Sequence, residues 1–235
     1  MKKVSLFLGA VAMTAMIFTS CGGSASSETK KEVDNNTENS KEVTIGKQVW
    51  MKENLEVDKF RNGDPIPEVK TVEEWLAAGE NKQPAWCYYN NNPDNGERYG
   101  KLYNWYAVTD PRGLSPEGWK IPSDEDWSRL TDFLGGESIA GKKMKLTEFL
   151  KEGDGKSLDG TNESGFTGLP GGKRQWKGEF AYLGEGNGWW STTEGDPNLT
   201  SGSRVLSLDF DYAASKVYKY DDDKGCGFSV RCLKN

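Results

Sequence analysis

The stretch PSDEDWSRLTDFLGG, residues 122–136, carries the clearest helix signal in the sequence. Ser123 is a favourable N-cap, and the three acidic residues that follow it suit the positive end of a helix dipole. Gly135 is typical of the position where a helix ends. Between these ends, three large apolar side chains share one helical face: Trp127, Leu130 and Leu134. The sequence therefore predicts a helix that packs one face against a core.

Weaker signals on either side of this helix predict further elements. Residues 42–51, EVTIGKQVWM, alternate around a glycine and predict a strand or a hairpin. Residues 71–79, TVEEWLAAG, predict a short helix with Thr71 as N-cap, Glu74 three positions later and Gly79 as a stop. Three alternating segments predict a late antiparallel sheet, at residues 204–210, 215–220 and 227–233. Early helices and late strands indicate the α+β class, and residues 42–235 contain no linker, which predicts a single domain.

The composition narrows the chemistry that this chain could perform. Its 235 residues include 28 glycines and nine each of Trp, Tyr and Phe, which favours a loop-rich fold with a core of large rings. A formal net charge of −6 argues against nucleic-acid binding, which needs a basic face. The chain has no histidine, so histidine-activated nucleophiles, histidine bases and histidine-ligated zinc are excluded. Catalysis would have to use carboxylates, Lys, Tyr or Cys.

The N-terminal segment predicts export and a lipid anchor. Two lysines precede an apolar run of roughly fifteen residues, so residues 1–20 are predicted to be a secretory signal peptide. The stretch FTSC ends in Cys21 and resembles a bacterial lipobox, with Phe18 in the place of the usual leucine. The alternative is an ordinary signal peptide followed by an incidental cysteine. Residues 21–41 would form a lipidated cysteine and a disordered tether, and we expect the protein in the bacterial cell envelope, anchored at the outer membrane.

The stretch TNESGFTGLPGGKRQWKGEF, residues 161–180, is rich in glycine but does not match a phosphate-binding loop. That loop requires G-x-x-x-x-G-K-[ST], whereas Arg174 follows Lys173 and Thr167 stands where the first glycine is needed. Residues 169–172, LPGG, are instead typical of a tight turn. We interpret the stretch as a scaffold of turns that presents side chains.

Two acidic stretches could supply oxygen ligands to a structural calcium ion. Residues 152–163 contain three candidate ligands without the spacing of an EF-hand: Asp154, Asp159 and Glu163. Residues 220–225, YDDDKG, contain Asp221, Asp222 and Asp223. Solvated loops are the preferred interpretation of both stretches, and no cofactor is expected.

Five segments stand in the order of a known family: AWCYYNNNPDNGERYGKLYNWYAV (85–108), GLSPEGWKIPSDEDWSRLTDFLGG (113–136), GTNESGFTGLPGGKRQWKGEF (160–180), GWWSTTE (188–194) and GFSVRCLKN (227–235). They closely resemble the Fibrobacter succinogenes major paralogous domain, which is common in surface lipoproteins, over residues 43–235. That family looks related to the C-type-lectin-like fold, which includes formylglycine-generating enzymes. WKIPSDEDW is similar to their RLPTEAEW segment. The resemblance implies short helices packed on small antiparallel sheets with long loop regions.

The resemblance does not extend to the chemistry of the related proteins. Formylglycine-generating enzymes use a C-x4-C pair before their closing GFRC motif, whereas here Cys226 directly precedes GFSVRC and Cys232 is its last residue. The EPN, QPD and WND motifs of calcium-dependent lectins are absent, and DPN at residues 196–198 is more typical of a turn. The lectin-like resemblance does imply a disulfide that fixes the last strand, which we expect between Cys87 and Cys232, with Cys226 free. A Cys226–Cys232 bridge would require the two ends of one extended segment to meet.

The tryptophans and tyrosines fall into two groups. Five tryptophans in apolar or family-like contexts are expected in the core: Trp50, Trp105, Trp119, Trp127 and Trp190. The other group stands among glycines and charged residues, where exposed rings could stack on a sugar or contact a protein. The predicted ligand-binding residues are Arg174, Trp176, Glu179, Tyr182 and Trp189. The alternative is that these rings form a small core within their own loop.

The leading functional hypothesis is a surface-anchored, non-catalytic binding module for a glycan or a protein ligand. One alternative is an enzyme that uses carboxylates on a polysaccharide. Another is a structural component of the envelope with no small ligand. Fold alone does not decide between them.

Overall fold

Short strands and short helices alternate in the first half of the chain, and longer strands follow. The computed structural model describes residues 40–147, 160–196, 202–209 and 215–235. In chain order, the elements are β1 (Glu42–Ile45), β2 (Gln48–Met51), α1 (Val72–Glu80), β3 (Trp86–Cys87), α2 (Pro93–Tyr99), β4 (Leu102–Tyr103), α3 (Trp105–Val108), β5 (Trp119–Lys120), α4 (Asp124–Phe133), α5 (Glu137–Met144), β6 (Gly171–Arg174), β7 (Phe180–Leu183), β8 (Gly186–Glu194), β9 (Gly202–Asp209), β10 (Val217–Asp223) and β11 (Leu233–Lys234). The α+β class is confirmed, and Asn39–Asn235 form one compact unit.

Three sheets organise the described residues. The first has the order β1-β2-β11-β5, so it joins the earliest and the latest strands. The second has the order β10-β9-β8-β6-β7 and is antiparallel except where β6 and β8 run parallel. The third is the short pair β3-β4. The second sheet positions the predicted ligand-binding residues, because β6, β7 and β8 contain most of them.

The helix ends follow from local side-chain chemistry. Thr71 caps α1 and Ser123 caps α4, and in each helix the third residue closes a capping box, through Glu74 and Asp126 respectively. These caps confirm the predicted starts of both helices. Gly79, expected as a stop, lies inside α1, which ends at Glu80 with Asn81 as C-cap.

Large rings fill the core, as the composition predicts. Trp50 and Trp127 stack with centroids 4.7 Å apart, and Trp105 and Trp190 are also buried. Trp119 is only half-buried and packs against the core from its edge, so its expected place there is confirmed in part. Strand β8 separates two apolar clusters, because Trp189 belongs to one cluster and Trp190 to the other.

Two predictions about the later elements need correction. Residues 227–233 do not form a strand of the late sheet, since only Leu233–Lys234 are a strand and they join the first sheet. The expected LPGG turn is confirmed only in part: the Gly171 N–H donates to the Leu169 carbonyl at 2.9 Å and Gly172 has a φ of +68°, but both glycines already belong to β6. Residues 227–233 pair with elements distant in sequence, which local strand signals do not report. The hairpin at residues 42–51 and the antiparallel β9–β10 pair are confirmed.

Candidate functional site

The predicted binding stretch folds as the β6–β7 hairpin at the edge of the second sheet. Strand β7 is the last strand in that sheet, so its outer side has no neighbouring strand within the sheet. The turn of residues 175–179 is closed by the Gln175 N–H, which donates to the Glu179 carbonyl at 2.8 Å. Gly178 adopts a φ of +97° in this turn, a conformation that glycine adopts without strain. The hairpin therefore holds the side chains of its turn in a defined place.

Arg174 is buried and structural, so its prediction as a ligand-binding residue is wrong. Only 1% of the residue is exposed. Its guanidinium donates to the Gly178 carbonyl at 3.0 Å and to three carbonyls just before α1, those of Val69, Lys70 and Thr71, at 2.7–3.0 Å. It also lies between the rings of Trp75 and Phe180, at 4.5 and 4.8 Å. Backbone carbonyls accept hydrogen bonds from all three guanidinium nitrogens, and these bonds connect the hairpin to the start of α1.

Trp189 is also buried, with 0% exposure, so its prediction as an exposed ring is wrong. Its Nε1 donates to Asn54 Oδ1 at 2.8 Å, and its ring packs edge-on against Phe166 at 5.5 Å. Arg231 donates to the same Asn54 oxygen from Nε and Nη2, at 3.0 and 2.8 Å. Burial lowers the pKa of Arg231 to about 9, which still leaves it charged at neutral pH. Trp189 therefore belongs to a buried polar network.

Trp176 and Tyr182 are exposed, as predicted, at 46% and 55%. Trp176 lies in the hairpin turn, where Lys177 Nζ is 5.0 Å from its ring centroid, and the Glu179 side chain nearby is also exposed. Tyr182 adopts a φ of +66° next to Gly172, whose own φ is +68°. These two residues break the alternation of the hairpin, so Phe180 faces Arg174 whereas Tyr182 lies 5.8 Å from Lys173 Nζ.

A chain of contacts links the two exposed rings. Lys173 Nζ donates to Asp222 Oδ2 at 2.7 Å, and Cys226 Sγ donates to Asp222 Oδ1 at 3.4 Å. The backbone N–H of Trp176 faces the same sulfur. We define the hairpin face as Lys173, Trp176, Tyr182 and Asp222.

The ion pair of the hairpin face is partly shielded from water. Burial alone would lower the pKa of Lys173, but the hydrogen bond and charge of Asp222 outweigh burial and raise it. Lys173 is therefore a fixed cation at neutral pH. Sequence reasoning considered Asp222 only as a calcium ligand and missed Lys173. Lys173 stands next to Arg174, and strand alternation places it on the opposite side from that buried neighbour.

The cysteines do not form the expected disulfide. Cys87, Cys226 and Cys232 are all free and buried. Cys87 belongs to the cluster with Trp75 and Leu102, whereas Cys232 belongs to the cluster around Trp190, so the two thiols lie in different parts of the core. Burial raises the pKa of Cys87 and of Cys232 to about 12, and it also raises the pKa of Cys226. None of these thiols is poised as a thiolate nucleophile.

The acidic candidates that the structure describes form no cluster suited to a metal ion. Glu163 is exposed in a turn, and Asp154 and Asp159 lie outside the described residues. Within the described ranges, no group of three or more acidic or cysteine side chains could hold a metal ion. The acidic stretch near β10 is used internally, since Asp221 pairs with Arg204 at 3.3 Å and Asp223 accepts from the Gly225 N–H at 2.7 Å.

Comparisons with known proteins give one match. The model of the family described as the Fibrobacter succinogenes major domain matches residues 43–234. No curated protein and no solved structure matches the chain. Among the described helices, none has both the length and the apolar character needed to span a bilayer.

Proposed function

The chain belongs to the Fibrobacter succinogenes major domain family, and on that premise we propose that it is a non-catalytic binding module anchored at the cell surface. Its ligand is a glycan or a protein, and the hairpin face is the site. We propose further that the fold is C-type-lectin-like, as the motifs at residues 113–136 and 227–235 suggest.

The observation that carries this proposal is the exposure of two large rings on one rigid hairpin. Trp176 and Tyr182 flank a partly buried Lys173–Asp222 ion pair. Exposed aromatic rings beside fixed polar groups suit stacking on a sugar or docking of a protein. Arg174 supports the site from below, because it ties the hairpin turn to the start of α1.

The environment of the thiols favours binding over covalent catalysis. The described cysteines are buried and their pKa values are raised, so they remain protonated at neutral pH. Asp222, the carboxylate of the hairpin face, is engaged by Lys173 and Cys226. A carboxylate held in a fixed ion pair is suited to orienting a ligand.

Binding is tested with a glycan array and with capture of surface proteins, each on the wild-type chain and three variants. Trp176→Ala and Tyr182→Asn remove the rings, and asparagine tolerates the positive φ of Tyr182. Each should weaken binding by about tenfold, corresponding to 1–2 kcal/mol for a stacked ring. Phe133→Ala is the control, because this exposed ring lies in α4 and belongs neither to the hairpin nor to β10. Equal loss in all three variants would contradict a site on the hairpin face.

The anchor is proposed from the sequence, since Cys21 lies outside the described residues. Lipidation of Cys21 places the domain at the outer membrane on a tether of residues 22–41. The intact mass of the membrane-extracted protein should show an acylated chain that begins at Cys21. A chain that still begins at Met1 would contradict the proposal. Cys21→Ala should release the protein from membranes, because the acidic tether offers no second anchor.

A further inference from the structure

Lys101 is a buried lysine that lies outside the hairpin face. It follows Gly100 and is 4% exposed. The pairing of β3 and β4 places it beside Tyr88, one position beyond the Cys87–Leu102 pair. Its Nζ lies 3.8 Å from the Trp86 ring centroid and 5.6 Å from that of Tyr88, and the two rings meet edge to face at 5.1 Å. The amino group therefore lies against two aromatic rings, with Trp86 the nearer of the two.

The Lys101 nitrogen has no hydrogen-bond acceptor and no ion-pair partner among the described residues. Other buried cations are satisfied: Arg174 donates to carbonyls, Arg231 to Asn54, and Lys173 to Asp222. A buried donor without an acceptor is costly, and a lysine ammonium carries three donor hydrogens. Nζ itself keeps some contact with solvent, so its donor hydrogens are not sealed in the core. They are available to an oxygen atom of a ligand.

Exposed carboxylates lie near this nitrogen, and one of them, Glu56, accepts from the Tyr88 hydroxyl at 3.5 Å. Glu56, Asp58 and Glu68 are exposed, and all three act on Lys101 electrostatically, although none lies within 4.0 Å of Nζ. Burial lowers the pKa of Lys101, and these carboxylates only partly oppose the effect. The nitrogen donates hydrogen bonds in either protonation state. A nitrogen without a protein acceptor and exposed carboxylate acceptors are thus available on the same part of the surface.

We propose that Lys101, Tyr88 and the carboxylates of Glu56, Asp58 and Glu68 form a second site, which binds the hydroxyl groups of a neutral saccharide. A hydroxyl group accepts from Lys101 and donates to a carboxylate at the same time. An anion is disfavoured because the three carboxylates outnumber the two ammonium groups, Lys101 and the Lys70 that pairs with Glu68 at 3.2 Å. A cation is disfavoured because Lys101 already occupies the face of Trp86. The half-buried ring of Tyr88 adds a surface against which the sugar can pack.

The site is tested by titrating the full chain with the neutral methyl glycosides of glucose, galactose and mannose, and with glucuronate. Binding is followed through the ¹⁵N resonance of the Lys101 amino group, identified by its disappearance in Lys101→Arg. At least one neutral glycoside should shift this resonance to saturation, and glucuronate should bind several-fold more weakly. The absence of any shift with all three glycosides, or tighter binding of glucuronate, would overturn the proposal.

Two variants separate this site from the fold and from the hairpin face. Glu56→Gln changes an exposed side chain. It should weaken binding of the neutral glycoside and reduce the difference in affinity between that glycoside and glucuronate. Lys101→Met keeps an apolar stem without the donors, and isothermal titration calorimetry, which needs no Lys101 resonance, should show the glycoside bound about tenfold or more weakly. Trp176→Ala should leave this binding unchanged. If both Glu56→Gln and a folded Lys101→Met bind as the wild type does, the second site does not exist.

Discussion

Trp189 and Trp190 are adjacent residues of β8, and their side chains lie on opposite faces of the strand. Both side chains are fully buried. Trp189 donates to Asn54, and Trp190 donates through Nε1 to the Tyr103 carbonyl at 2.8 Å. Strand alternation correctly predicts that the two rings face opposite sides. It cannot show that both sides of the strand are covered, because that depends on which elements pack against the sheet. The assignment of Trp189 to the surface failed for this reason, whereas Trp190 is in the core as predicted.

Trp189→Ala and Trp190→Ala should each lower the free energy of unfolding by roughly 3–5 kcal/mol, because each deletes a buried ring and leaves a cavity. Trp176→Ala is the matched control, since its ring is exposed and its change should stay within about 0.5 kcal/mol. Urea titration followed by circular dichroism measures all three. A Trp176→Ala protein as unstable as Trp189→Ala would mean that the hairpin ring is a core residue.

The candidate site could be predicted only in part from its residues. Trp176, Glu179 and Tyr182 are exposed as their polar, glycine-rich surroundings suggested. Arg174 looks the same in sequence, yet it is buried because three carbonyls before α1 lie within reach of its guanidinium. Those carbonyls are about a hundred residues away along the chain, so no local pattern reports them. Lys101 was missed for the same reason, since Trp86 contacts it only through the β3–β4 pairing.

At the scale of single elements, the β6–β7 hairpin depends on Gly172. A Cβ atom at this position would lie 2.6 Å from the Ala181 carbonyl oxygen and 2.7 Å from the Tyr89 ring, and its φ is positive. Gly184, just after β7, also has a positive φ of +80°, but a Cβ atom there would meet nothing within 4 Å. An alanine at position 184 would therefore suffer backbone strain alone, whereas an alanine at position 172 would suffer both backbone strain and a steric clash.

Gly184→Ala should cost about 1 kcal/mol of stability from backbone strain alone. Gly172→Ala should cost about 1–3 kcal/mol more, because the backbone atoms that it meets cannot move aside easily. Thermal unfolding of the two variants measures the difference. Equal losses would show that the hairpin relaxes around a methyl group at position 172.

The N-terminus of α4 should make stability depend on pH. Asp126 is buried and accepts from the Ser123 N–H at 3.0 Å and from Lys120 Nζ at 2.8 Å. Burial alone would raise the pKa of Asp126, but the bonds from Lys120 and Ser123 outweigh burial and lower it. A lowered folded-state pKa means that this stabilisation is present above the ordinary value of 3.8 and is lost as the pH falls through the folded value.

Asp126→Asn should therefore cost about 1–2 kcal/mol near pH 7, since it weakens the capping box and removes the ion pair. The pair with Lys120 contributes modestly, because that lysine is about half exposed. The difference between wild type and Asp126→Asn should shrink below about pH 4. Guanidinium titrations between pH 7 and pH 2.5 test this, and a difference that stays constant with pH would contradict it.

Helices were easier to predict than strands for a physical reason. The caps of α1 and α4 are contacts between residues three positions apart, so they are visible in the sequence. Residues 227–233 alternate like a strand, but Gly227, Phe228 and Ser229 form single bridges to Arg174, Tyr103 and Trp189, which belong to three different strands. Their alternation is real, whereas their partners depend on the whole fold.

At the scale of the whole molecule, the three thiols in the described ranges report on global unfolding. Cys87, Cys226 and Cys232 are buried in different contexts, and burial raises the pKa of each thiol. Iodoacetamide should leave all three unmodified in the native protein and label all three together as denaturant unfolds the chain. Peptide mapping after alkylation without reductant is the measurement. Cys87 and Cys232 that resist labelling in full denaturant would instead reveal the disulfide that the structure lacks.

Strand β11 lies between β2 and β5, so Leu233 completes a sheet that Trp50 begins. A polypeptide emerges from the ribosome with its N-terminus first, at about 5–20 residues per second. The early hairpin must therefore wait until β11 has been synthesised, on the order of ten seconds or more later, before its neighbour exists. During that interval Trp50 has no finished core to enter. The first sheet thus stays incomplete while the residues between β2 and β11 are being added.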